Sequence, residues 1–262
     1  MMNSRHRYFR FASNLEYLLV PLFLLLFVIL WRLVVRIGNY PTYLLPLPED
    51  VWRRFISYAA GGQLRVHITA TLIEVLGGFL LGTTAGLIFG YPIAKIKTLE
   101  RIAVPYIVAW QSIPVVALAP LMIIWFGTGY FSKILVAAMI TFFPVLINAV
   151  VGFRAIERKY LRLMASLNAT RRDVFFKIEV PRALPTLFAG FRIAAPLAVV
   201  GAVVGEFLGA SQGLGFLIRI SQGLLDTPLM FVALLTLVFM GILFYLVFVL
   251  LEKLTLHQVH YF

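Results

Sequence analysis

Long apolar runs separated by short polar stretches constrain this chain more than any other feature. Tyr17–Val35, Val66–Pro92, Ala103–Phe126, Ser132–Val151, Thr186–Leu208 and Pro228–Leu251 carry few charges. Each is close to the roughly 20 residues that an α-helix needs to cross the hydrocarbon core of a bilayer. Backbone polar groups in that layer must be satisfied within the segment, which favours helices. The pattern therefore predicts an all-α integral membrane protein with six transmembrane helices. Composition excludes the soluble alternative, since 61% of the 262 residues are hydrophobic and only 13% charged.

The runs divide the chain into a basic cytoplasmic N-terminal segment (1–16), a first transmembrane helix (17–36), an external loop (37–65), a core transmembrane domain (66–252) and a cytoplasmic tail (253–262). The first run is longer than the apolar part of a signal peptide and lacks a small-residue cleavage site, so it reads as an uncleaved span. Basic residues concentrate in the segments that this topology places inside, such as Lys95, Lys97 and Arg101, and most densely in residues 152–185. By the positive-inside rule both termini are cytoplasmic. The formal charge of +12 fits anionic inner-leaflet lipid, and with no groove-reading motif beside it nucleic acid is not a partner.

Within the core, Gly78, Gly82, Gly86 and Gly90 recur every four residues and leave one face of the second span open to close approach by a neighbour. The third span contains Pro105, Pro114 and Pro120, which predicts a kinked or broken helix. The stretch from Gly209 to Thr227 is amphipathic and glycine-rich and predicts a partly inserted or interfacial helix.

Residues 152–185, GFRAIERKYLRLMASLNATRRDVFFKIEVPRALP, form a long basic segment of helical pattern that cannot sit in hydrocarbon. A first short helix ends near Asn168, a residue that tolerates the left-handed conformation. Thr170 followed by Asp173 is a capping box that starts a second. Val174, Phe175 and Ile178 give that second helix an apolar side, and Pro181 is expected to end it. The segment suits a protein partner; otherwise it is a solvated basic loop near anionic lipid.

The run SLNATRRDVFFKIEVPRALPTLFAGFRIA resembles the cytoplasmic EAA loop of permease subunits in bacterial ABC importers, with Ile178, Pro181, Leu184, Pro185, Ala189 and Gly190 matching. Arg162, Leu163 and Met164 stand where E-A-A would be, and Asn168 where Gly would be. WQSIPVVALAPLMIIWFGTG, FFPVLINAVVGFRAI and AVVGAVVGEFLGASQGLGFLI are similar to the nitrate, sulfonate, taurine and pyrimidine-precursor group of these permeases. The wording is closest to permeases for thiamine-pyrimidine precursors and riboflavin.

The resemblance implies a type I importer-like fold with residues 152–185 as the coupling-helix loop. It implies two separate ATP-binding subunits that hold ATP and Mg, a second permease copy in a homodimer, and an extracytoplasmic solute-binding protein. This chain would carry no cofactor and no catalytic residue, consistent with the lack of a P-loop. The ATPase would dock on Leu167, Asn168, Ala169, Thr170, Arg171, Arg172, Asp173, Phe175, Phe176 and Lys177. The cargo would be a small molecule, an aromatic heterocycle such as a pyrimidine precursor or riboflavin, or alternatively sulfonate, taurine, nitrate or bicarbonate.

Polar and aromatic groups within the spans are the candidates for the translocation path. These are Glu74, Trp110, Gln111, Ser112, Phe142, Phe143, Asn148 and Glu206. Glu74 either lines the path or ties two helices together, and Glu206 either belongs to an outer gate or reaches water. The aromatics read as stacking surfaces or as ordinary packing, and Arg192 as a snorkelling cation. His6, His67, His257 and His260 are too scattered for a metal site. A secondary transporter remains the lower alternative, with Glu74 as its coupling carboxylate.

Overall fold

The computed structural model of the protein describes residues 5–259, so the expected cytoplasmic placement of residues 1–4 and 260–262 lies outside the described residues. The described chain is helical, without a strand: α1 Arg5–Ile37, α2 Pro48–Ala60, α3 Gln63–Lys95, α4 Lys97–Gln111, α5 Val115–Phe126, α6 Tyr130–Arg154, α7 Arg158–Ser166, α8 Arg171–Val174, a π-helical turn Phe175–Glu179, α9 Val180–Gly209, α10 Leu214–Gly223 and α11 Thr227–Val259. Among the described residues, α3, α6, the continuous stretch Arg171–Gly209 and α11 are each long and apolar enough to cross a membrane. The pair α4 and α5, bent by 90°, adds a fifth if it forms one span. On α1, every side chain from Leu22 to Leu30 is exposed, so its apolar surface requires lipid or another chain to cover it.

The core is a layer of three helices with α6 in the middle. Gly78, Gly82, Gly86 and Gly90 of α3 are buried against α6, where a Cβ at Gly82 would collide with Thr141 Oγ1 and the Ala138 backbone, and one at Gly90 would come within 2.6 Å of Ala149 Cβ. An adjoining face of α6 meets a second small-residue stripe on α9, with Gly201 against the Ala137 backbone and Gly205 against Lys133. Removing side-chain bulk brings the backbones together and multiplies dispersion contacts, which drive helix association where lipid is as apolar as the side chains. Phe79, Val145, Ala198, Leu217 and Val232 join α3, α6, α9, α10 and α11 into the main apolar core.

The third span is broken as expected, and one other proline expectation changes. In the third span only Pro114 interrupts the helix. It takes extended backbone (ψ 111°) between α4 and α5, while Pro105 and Pro120 lie inside their helices. Pro181 does not end a helix either. The π-helical turn immediately before it widens the backbone, closed by the Val180 N–H donating to Phe175 O, and the chain then continues through Pro181, Pro185 and Pro196 as α9. A widened turn relieves the clash between the proline ring and the carbonyl four residues back.

Candidate functional site

The segment from Leu167 to Lys177 folds from local signals. Asn168 adopts φ 52° and lets α7 stop. Thr170 then caps α8, its hydroxyl accepting from the Asp173 N–H at 3.2 Å while the Asp173 carboxylate accepts from the Thr170 N–H at 3.3 Å. Lys177 sits one turn on and pairs with Asp173 at 2.6 Å. Leu167, Asn168, Thr170, Arg171, Arg172, Phe176 and Lys177 are exposed, with Ala169 and Asp173 half-buried. Phe176 is 59% exposed with the Arg172 guanidinium over its ring at 5.9 Å. Phe175 points the other way, edge-on to Tyr91 at 5.3 Å and stacked with Phe153 at 6.5 Å. It therefore roots the segment in the bundle, and Phe176 with Leu167 supplies the exposed apolar surface.

At the base of this segment the Glu179 carboxylate, almost fully buried, accepts from Tyr91 Oη at 2.9 Å and from Lys95 Nζ at 2.6 Å. Arg154 pairs with Glu100 nearby. Arg192 is bonded to Glu252 at 3.2 Å rather than snorkelling free. The sequence reading passed over Glu179, although its placement between apolar Ile178 and Val180 marked it for burial.

The path candidates separate into three places. Trp110, Phe142 and Phe143 come together with Leu81, Ala85 and Met139 around a cavity of about 320 Å³ between α3, α6 and the end of α4. Phe142 and Phe143 are edge-on at 4.9 Å, and no charged side chain lines the space. Gln111 and Ser112 are exposed at the α4–α5 break beside this cavity, with Ser112 Oγ donating to Val108 O at 3.1 Å. Asn148 instead lies on the α6–α9 seam, donating to Pro144 O at 2.8 Å and pressed against Gly190.

Glu74 and Glu206 belong to a third place, a buried charged cluster at the end of the bundle opposite the Leu167–Lys177 segment. Both are fully buried, so Glu206 does not reach water. Glu206 accepts from the Thr71 hydroxyl at 2.6 Å and from the Gly215 N–H, and Thr71 in turn accepts from the Leu214 N–H at 2.8 Å. These contacts fasten the start of α10 to α3 and α9. Gly213, at φ 118°, packs its backbone against the Glu206 carboxylate where a side chain would collide. Lys133, buried at the start of α6, lies 3.6 Å from Glu74 and donates to Thr128 O at 3.0 Å. An intramembrane charge persists when another offsets it, and Lys133 supplies that offset for Glu74. Sequence reasoning missed this pairing. The position of Lys133 just inside an apolar run was the available signal.

These features define a multi-pass helical bundle with an exposed basic segment at Leu167–Lys177. Residues 82–257 match the family described as binding-protein-dependent transport system inner membrane component, and the chain belongs to that family. The riboflavin transport system permease protein of Chloroflexus aurantiacus is 46% identical over 90% of this chain and 88% of its own length. The formylaminopyrimidine transport permease protein of Halalkalibacterium halodurans is 37% identical over 85% of this chain and 88% of its own, and the taurine transport system permease protein of Escherichia coli 29% identical over 75% and 74%. Among solved structures, a chain of an amino acid ABC transporter crystallised with histidines superposes at TM-score 0.55, covering 78% of this chain and 98% of that one at 18% identity, a likeness of fold.

The protein is thus the membrane permease subunit of an ABC importer. It is not an enzyme; ATP and Mg are bound in a separate ATPase subunit, and the transporter also includes a solute-binding protein.

Proposed function

We propose that this permease carries an aromatic heterocycle, a pyrimidine precursor or riboflavin, across the membrane. The observation that carries this reading is the lining of the 320 Å³ cavity, where Trp110, Phe142 and Phe143 offer aromatic faces and no cation is present. Flat π-systems stack on such surfaces. A sulfonate, taurine, nitrate or bicarbonate would instead call for a positive group or a cluster of hydrogen-bond donors. The named cargoes of the riboflavin and formylaminopyrimidine relatives support the same choice.

Two copies of this chain would face each other with one ATP-binding subunit beneath each and the solute-binding protein on the outer face. The Leu167–Lys177 segment would sit in a groove of the ATPase, with Phe176 and Leu167 as apolar contacts and Arg171 and Arg172 meeting acidic groups. Both termini would be cytoplasmic, which single introduced cysteines can report by labelling, since the natural chain has none. Family membership sets the secondary-transporter alternative aside.

The test is uptake by the complete transporter in proteoliposomes. ATP-dependent accumulation of riboflavin or a formylaminopyrimidine, unaffected by excess taurine, is the expected result. Accumulation of taurine or nitrate with neither heterocycle transported would overturn the cargo assignment.

A further inference from the structure

Besides the packing of Phe175 on Tyr91 and Phe153, the Leu167–Lys177 segment is connected to the rest of the bundle by two routes. One is the chain itself, since Arg171–Gly209 is helical throughout and carries a displacement of α8 straight into α9. That route reaches the cavity through the α6–α9 seam, since the lining comes from α3, α4 and α6. The other route is Glu179. Both of its carboxylate oxygens are bonded to the final turns of α3, one to Tyr91 Oη and the other to Lys95 Nζ, and its side chain is only 8% exposed. The Tyr91 ring is held in turn by edge contacts with Phe153 at 5.0 Å and Phe175 at 5.3 Å.

A charge-assisted pair shielded from water is stiff, because breaking either bond strands a buried charge. The Arg154–Glu100 pair at the same end has its guanidinium half exposed, so solvent weakens it. Glu179 also ends the π-helical turn, and such a turn inside a helix is frequently a site of functional adjustment. Ala85, which lines the cavity, precedes Tyr91 by six residues, about 9 Å along α3.

We infer that Glu179, bonded to Tyr91 and Lys95, is the positioning residue that transmits movement of the docked segment to α3 and so to the cavity wall. This role rests on the ATPase docking proposed above. The clamp pulls α3 directly with the π-helical turn, whereas without it α3 would follow through α6 and the Phe175–Tyr91 edge contact.

The measurement is the number of ATP molecules hydrolysed per solute imported by the reconstituted complete transporter. Variants are Glu179→Gln, Tyr91→Phe and the exchange Lys95→Glu with Glu179→Lys. The expected result is a ratio raised roughly 10-fold in Glu179→Gln and less in Tyr91→Phe. The exchange should return it to within about twofold of the natural protein, with the ATPase subunit co-purifying throughout. An unchanged ratio in assembled Glu179→Gln and Tyr91→Phe complexes overturns the inference. If Glu179→Gln fails to assemble, Tyr91→Phe and the exchange decide it by the same ratio. Failure of the docking reading looks different: the ATPase would still co-purify after residues 168–176 are scrambled.

Discussion

The α3–α6 seam and the α4–α5 pair are made of similarly apolar sequence, yet the protein treats them oppositely. Along the seam a four-residue glycine repeat lets two helices touch along most of their length, with Thr141 and Ala149 filling the space where α3 has no side chains. The α4 helix buries no residue, and α5 buries only Ala119 and Met122. Hydropathy alone does not separate the two, because lipid satisfies an apolar side chain as well as protein does. Small residues at helical spacing mark where protein meets protein. A proline break between bulky apolar residues marks a surface left for a cavity, lipid or a second chain.

The largest effect that would test this contrast is Gly82→Leu. The added side chain has no space against Thr141 and Ala138, so folded protein should be lost from the membrane fraction, at a cost above about 3 kcal/mol. Normal recovery of monodisperse protein would mean that the seam is not rigid. Lys133→Ala comes next. It leaves Glu74 buried without its partner, and a loss of about 3–5 kcal/mol should appear as a lowered Tm of the detergent-solubilised transporter. The double substitution Lys133→Met with Glu74→Gln should recover most of it, and no recovery would argue against the pairing.

Trp110→Ala sharpens the contrast from the other side. Transport of the heterocycle should fall by about 0.5–1.5 kcal/mol of lost stacking, no more than roughly tenfold, with Tm unchanged. A fall in Tm without a change in uptake would make Trp110 a packing residue. Thr170→Ala removes the α8 cap at a local cost of about 1 kcal/mol, which should weaken retention of the ATPase subunit roughly fivefold. The smallest effect is expected for Pro105→Ala. The helix already accommodates this proline on an exposed surface, so stability should stay within about 0.5 kcal/mol, measured by thermal melting.

Features governed by neighbouring residues were legible in the sequence: the apolar runs, the glycine face, the left-handed Asn168 and the Thr170–Asp173 capping box. The family followed from the pattern around Pro181 and Pro185, and residues 82–257 match it. Pro181 itself was misread, because its helix-breaking tendency is local while the π-helical turn that accommodates it belongs to a rooted segment. Of the path candidates, Trp110, Phe142 and Phe143 meet at a cavity, and Asn148 does not.

What remained for the tertiary structure was the pairing of faces. A periodic sequence states which side of a helix is small, apolar or charged, because that depends on spacing of 3.6 residues per turn. It does not state which helix turns toward that side, or at what depth. The structure placed Lys133 beside Glu74, bonded Thr71 to Glu206 at the start of α10, and joined Glu179 to Tyr91 and Lys95 across 88 and 84 positions of the chain. Each of these charges is tolerable only because a distant residue meets it in a medium that cannot solvate it. That meeting is fixed by how the helices pack, and by nothing within one helix.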